Sequence, residues 1–190
     1  ADRAGTYGLL NEFIFSKADG FTDISGKGYG PHRTLFFAAR EAVAAAEALQ
    51  EVYQNKMKVY TKEFKNSFTK RFKNMDKTVF GPISEQLTLQ HGLTEWDPES
   101  LLMIALNTGN TGNMQALTTG YKMSTAQIQT IMNQFISKEL AAIQGIWNVI
   151  SELYKPASEV YYNIKGIRPK RVDAVKQTYA HGTLEGGYFP

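Results

Sequence analysis

The sequence predicts a mainly α-helical protein in which a long amphipathic helix precedes a bundle of shorter helices. Three observations carry that prediction. From Thr34 to Val79 there is neither glycine nor proline, and the first part of the stretch is rich in alanine, the strongest helix former. Past residue 98 the apolar residues recur at steps of three and four, the period of a helix face. Strict alternation over a strand's length occurs at most around Tyr179 to Leu184.

The elements follow in order. Residues 1–33 mix Phe13, Ile14, Phe15 and Phe21 with Gly20, Gly26, Gly28, Gly30 and Pro31, which predicts a short element near 7–16 and then a loop. The string Ser25-Gly26-Lys27-Gly28-Tyr29-Gly30 has glycines spaced to approach a phosphate, but lacks the Gly-x-x-x-x-Gly-Lys-Ser/Thr pattern and the flanking strand. A linker is the plainer reading.

The next segment, 34–80, is the long basic amphipathic helix. Tyr53, Met57, Tyr60, Phe64, Phe68, Phe72, Met75 and Val79 step by about 3.7 residues on average, close to an eleven-residue repeat and away from a left-handed coiled coil. At about 1.5 Å per residue such a helix outruns a compact domain of this size, so it protrudes or breaks near Gln54. Its other faces carry Lys56, Lys58, Lys62, Lys65, Lys70, Arg71, Lys73 and Lys77 against Glu63 and Asp76, a local surplus of six charges when the whole chain carries +3. Three partners suit a basic face over an aromatic stripe: nucleic-acid phosphate, an anionic bilayer, or partner helices. An ordinary solvated face over a core stripe needs none of them, and a face made almost wholly of lysine gives charge-based affinity with little sequence specificity.

Residues 81–97 form a connector with room for a short helix between Ile83 and Leu89. In the bundle, 98–190, Asp97 is placed as N-cap and Pro98 as first helical residue of a short apolar helix through Leu106. Asn107 to Asn113 reads as a turn-rich string. The three asparagines at steps of three suit either a polar pocket or side-chain hydrogen bonds to backbone. Met114 to Gly120 is a further short helix or turn. Ser124 to Gln127 fits a capping box, opening a helix that carries Ile128, Ile131, Met132 and Phe135. A broad apolar face from Ser137 to Leu153 contains Trp147, read with Trp96 as a core or interface anchor. Pro156 is expected to kink this helix or begin the next, Gly166 to stop it, and Pro169 to Val175 to form a last helical turn.

Composition limits the chemistry. The chain has no cysteine, and His32, His91 and His181 are too scattered for a helical metal pair. Asp97 with Glu99 and Glu139 with Glu152 lie near bends, but nothing brings a pair to glycosidase spacing. A cap and solvated surface charges are the expected roles. His91 lacks a recognisable nucleophile elbow or acidic partner. The expectation is no enzyme activity, no cofactor and no metal. There is neither a leader nor an uncharged run of about 18 residues, so the chain reads as soluble. The start at Ala1-Asp2-Arg3 and the end at Tyr188-Phe189-Pro190 read as the edges of a segment from a larger protein.

Three pieces resemble one family. They are Leu101 to Asn113 with its Asn-Thr-Gly-Asn-Thr-Gly-Asn string, Gln144-Gly145-Ile146-Trp147-Asn148, and Gly186-Gly187-Tyr188-Phe189-Pro190. In order and spacing, from about 98 to 190, they resemble a helical region of the very large polyvalent proteins of phages and mobile elements. One departure is Asn148, where the family tends to carry an acid. The resemblance implies a structural or interaction module of a virion-associated, ejected protein, held in the virion interior and delivered to the host. Its partners would be sister domains or subunits, with DNA contact through the basic face and membrane contact as a weaker option. An alternative is a non-catalytic, nucleic-acid-gripping portion of a phage multi-domain enzyme such as a virion-borne RNA polymerase; a free-standing lytic or hydrolytic enzyme is less favoured.

Overall fold

The computed structural model describes residues 31–189, and it is mainly helical. The N-terminal segment with its Gly-rich string, Ser25 to Gly30, lies outside the described residues. Helix α1 is Pro31–Phe72, and the chain divides into compact units 1–54 and 55–190. In the first unit the described residues, 31–54, are helical. The account below concerns the second.

Helix α1 ends at Phe72, short of the expected 80, because the chain tightens there. Asn74 N–H donates to the Arg71 carbonyl and Met75 N–H to that of Phe72, bonds of the shorter 3₁₀ type. Asp76 then caps a 3₁₀ turn, Lys77–Phe80, accepting from the Thr78 N–H at 3.0 Å and hydroxyl at 2.7 Å. Those two donors hold the Asp76 carboxyl below its ordinary pKa, the hydroxyl contributing more. Gly81 closes the turn at φ +71°, a backbone region open to glycine at little cost. Val79 therefore leaves the helical stripe and is exposed.

Four shorter helices follow: α2, Glu85–His91; α3, Pro98–Leu106; α4, Thr111–Gln115; and α5, Thr125–Met132. A single π-turn, Ala116–Gly120, extends α4. Each of the four has a side-chain N-cap: Ser84, Asp97, Asn110 and Ser124. A cap satisfies a donor that has no partner within its helix and contributes about 1 kcal/mol. The box expected at Ser124 is half formed. Ser124 accepts from Gln127 N–H, but the Gln127 amide donates to the carbonyls of Phe80 and Pro82, both at 2.8 Å, and so ties α5 to the connector.

Helix α6 runs Ser137–Lys165 straight through Pro156, so proline starts no new helix there, and Gly166 at φ +72° stops it. Pro169 to Val175 is not helical. Ala174 instead forms a bridge with Asn110, and a hairpin follows: β1, Gln177–Tyr179, antiparallel to β2, Gly182–Leu184. Tyr179 and Leu184 point inward and are buried.

The core is built on the aromatic face of α1. Phe64 and Phe68 pack against Phe135 at ring distances of 5.5 and 5.0 Å, and Phe72 continues through Phe80 to Trp96. Phe64, Phe68, Phe80 and Phe135 are wholly buried, a contribution of about 1.5–3 kcal/mol each relative to exposure. Among the described residues no helix is long and apolar enough to cross a membrane.

Candidate nucleic-acid and partner interface

The eight basic residues, six on helix α1 with Lys73 and Lys77 just past its end, separate into two groups. Lys56 Nζ pairs with Glu152 on α6 and Lys65 Nζ with Glu99 on α3, each at 2.5 Å, the first pair half exposed and the second more so. Pairs of that kind contribute about 0–1 kcal/mol. Lys77 sits over the Phe72 ring, 5.0 Å from its centre.

Arg71 is part-buried and turned toward α6. Its guanidinium donates to Glu139 Oε2 at 2.5 Å and to the Gln134 carbonyl at 2.9 Å. Glu139 is fully buried and also accepts from Ser67 Oγ and the Ile136 N–H. The sequence reading made Glu139 a solvated charge, and that is corrected; Arg71, read as a nucleic-acid or partner contact, is part-buried and engaged with Glu139. A buried carboxylate needs its charge matched and its lone pairs filled, and α1, α6 and the turn before α6 together do that.

Lys58, Lys62, Lys70 and Lys73 form the second group. All four are exposed, and none is ion-paired among the described residues. By helical spacing Lys58, Lys62 and Lys70 lie away from Phe64 and Phe68, and Lys73 follows one residue beyond the helix. Of the stripe expected at the interface or core, Phe64, Phe68 and Phe72 are buried, Tyr60 is half-buried, and Trp147 is buried at 1% exposure.

Trp147 is the centre of a second assembly. Its indole N–H donates to the Leu106 carbonyl at 3.0 Å. The next glycine, Gly109, accepts at its carbonyl from the N–H groups of Val175 and Gly187. Asn110 and Asn113 donate to the carbonyls of Gly187 and Phe189, and Gln177 to that of Thr108. A Cβ on Gly109 would meet the Gly187 carbonyl at 2.4 Å and the Trp147 ring at 2.7 Å, and one on Gly187 would meet the Trp147 Cβ at 2.4 Å. The three separated pieces Leu101 to Asn113, Gln144 to Asn148 and Gly186 to Phe189 are thus one hydrogen-bonded knot. Asn107, Asn110 and Asn113 each donate to a backbone carbonyl and Asn110 caps α4; of the three, Asn110 also lines an open pocket of about 340 Å³ with Thr111, Met114 and Gln177.

No family model, curated protein or solved structure matches this chain.

His91 Nε2 lies 2.9 Å from the Tyr121 hydroxyl, and the His181 carbonyl accepts from Ser137 Oγ. No group of three or more acidic or histidine side chains is placed to hold a metal among the described residues. The sequence reading passed over a further basic run, Lys165 at the end of α6 and Arg168, Lys170 and Arg171 after it. Four cations in seven residues were its signal, hidden behind the expectation of a last helical turn.

Proposed function

We propose that this chain is a structural and interaction module of a large phage virion-associated protein of the polyvalent kind. It works by helix packing and touches DNA through the exposed face of α1. The observation that carries this reading is the division of charge on α1. Three cations are engaged by Glu152, Glu99 and Glu139, while Lys58, Lys62, Lys70 and Lys73 stand exposed without ion-pair partners among the described residues. Three ammonium groups on α1 and a fourth just past its end suit phosphate oxygens and displace counterions on contact. They offer no bidentate base readout, so the contact is indifferent to sequence. The packing half of the reading is supported by the Trp147 knot, which gathers the pieces that resemble the polyvalent proteins into one unit.

The test is titration of the chain with labelled random-sequence duplex DNA at low and moderate salt, beside a variant with Lys58, Lys62, Lys70 and Lys73 changed to Gln. The expected result is salt-sensitive binding, with a slope of up to about −0.9 per phosphate neutralised, that collapses in the variant. Binding that the variant retains in full, or none at low salt, would sink the DNA contact.

A further inference from the structure

A cleft of about 560 Å³ opens between α6 and the segment that follows it. One wall carries Gln144, Asn148, Ser151 and Tyr154, successive residues of one α6 face. Pro169 to Ala174 make the other wall, Glu185 to Tyr188 the end, and Trp147 is among the lining. We infer that this cleft binds a nucleotide unit of a single-stranded nucleic acid, a site separate from the lysines of α1.

The inference rests on pre-set aromatic and guanidinium planes. The Arg171 guanidinium lies over the Tyr154 ring, 5.6 Å from its centre, and donates to Ser151 Oγ at 3.0 Å. The Tyr154 hydroxyl donates in turn to the Pro169 carbonyl at 2.6 Å, fixing ring and wall together. Close by, Arg168 covers the Tyr162 ring at 5.0 Å. Tyr188, in the cleft end, is 43% exposed. Rings and arginine planes stack on any base, while a basic groove follows the phosphates.

Charge and polarity fit the same occupant. Lys170 is exposed and has no ion-pair partner among the described residues, so with Arg171 it presents two cations to a phosphate. Of the two carboxylates in the lining, Glu185 is engaged by Lys176 at 2.7 Å and Asp173 is exposed. Asn148 accepts from Gln144 through its Oδ1, which leaves its amide hydrogens for a base edge. A volume of this size takes a small ligand; a paired base, stacked within a duplex, cannot offer its face to the rings. A free mononucleotide carries the same chemistry, so the test must separate the two sources.

The experiment uses fluorescence anisotropy with the whole chain and a labelled ten-nucleotide oligothymidylate. A duplex of the same length and unlabelled thymidine monophosphate serve as competitors. The single strand is expected to bind about tenfold more tightly than the duplex, and Tyr188→Ala to weaken it by about fivefold or more, the range of a lost stacking contact. Arg171→Lys should also weaken it, because charge is kept and the plane is lost. The variant lacking Lys58, Lys62, Lys70 and Lys73 should keep the preference for single strand, which makes this site's failure distinguishable from that of the α1 contact. Tyr188 is exposed, so its removal should leave the melting temperature unchanged and weaker binding would not report unfolding. Displacement of the strand by micromolar thymidine monophosphate would assign the cleft to the free nucleotide; no displacement at that level would assign it to the strand. Equal affinity for duplex and strand, unaltered binding by both cleft variants, or no binding to either probe would overturn the inference.

Discussion

Arg71 and Glu139, sixty-eight positions apart in sequence, meet at 2.5 Å, the guanidinium part-buried and the carboxylate fully so. A cation that sequence places on a basic surface face is thereby the counter-charge of a fully buried carboxylate. Glu139 accepts from Ser67 and Arg71 on α1 and from the Ile136 N–H in the turn before α6, so its full set of partners forms only when α1 and α6 are docked.

Removing one partner of such a pair leaves a charge buried without compensation, a loss of about 3–5 kcal/mol. Arg71→Ala, which strands the buried Glu139 carboxylate, is expected to destabilise the chain by that amount, and Glu139→Ala by less, because the Arg71 guanidinium it leaves behind reaches solvent. The double variant should be less destabilised than the sum of the two. Urea denaturation of the three variants checks this, and additive losses would mean that the pair is not coupled in the folded state.

At Gly145, α6 lies directly against the Tyr60 ring of α1. A Cβ there would lie 2.3 Å from the Tyr60 ring. In a helix interior alanine is better than glycine by about 0.8–1.0 kcal/mol, but overpacking of a contact this tight costs about 1–3 kcal/mol, and the second effect wins. Gly145→Ala should therefore lower the melting temperature. In a Tyr60→Ala background the same substitution should become neutral or stabilising, since the ring it struck is gone. A reduction of equal size in both backgrounds would place the strain elsewhere.

Tyr179 on β1 is buried, and its hydroxyl donates to Gln177. Burial pushes its phenol pKa above 10.0, and the Thr108 contact pulls the other way by less. The unfolded chain then loses this proton first as pH rises. Stability from Tyr179 is complete below the unfolded pKa of about 10 and is lost as pH climbs toward the folded value. The difference in urea midpoint between pH 8 and pH 11 should be smaller for Tyr179→Phe than for the native chain. Equal differences would show that the phenol titrates alike in both states.

Much of the fold was legible because it is written locally. Asp97 with Pro98, and Ser124 before an apolar run, are cap signals whose partners lie within three residues, so no tertiary information is needed to read them. The aromatic stripe from Tyr60 to Phe72 is likewise a matter of helical period, and it faces the core as that period requires. Gly166 stops α6 for a reason visible in one residue, its freedom to take positive φ.

Other features depend on groups far apart in sequence, and these the tertiary structure decided. The end of α1 at Phe72 turns on Asp76, whose capping role was masked by its place in a helix-like run. The segment after Pro169 gave up its expected helical turn because Asn110 and Gly109 supply backbone partners about 65 residues upstream. Which cations are engaged and which stand free could not be read from a run of lysines, since Glu99, Glu139 and Glu152 come from other elements. Composition and period thus determined a helical chain with one basic, aromatic helix. Long-range pairing of buried charge and backbone, enforced by the cost of leaving either unmatched in the interior, decided which of its residues remain available for a partner.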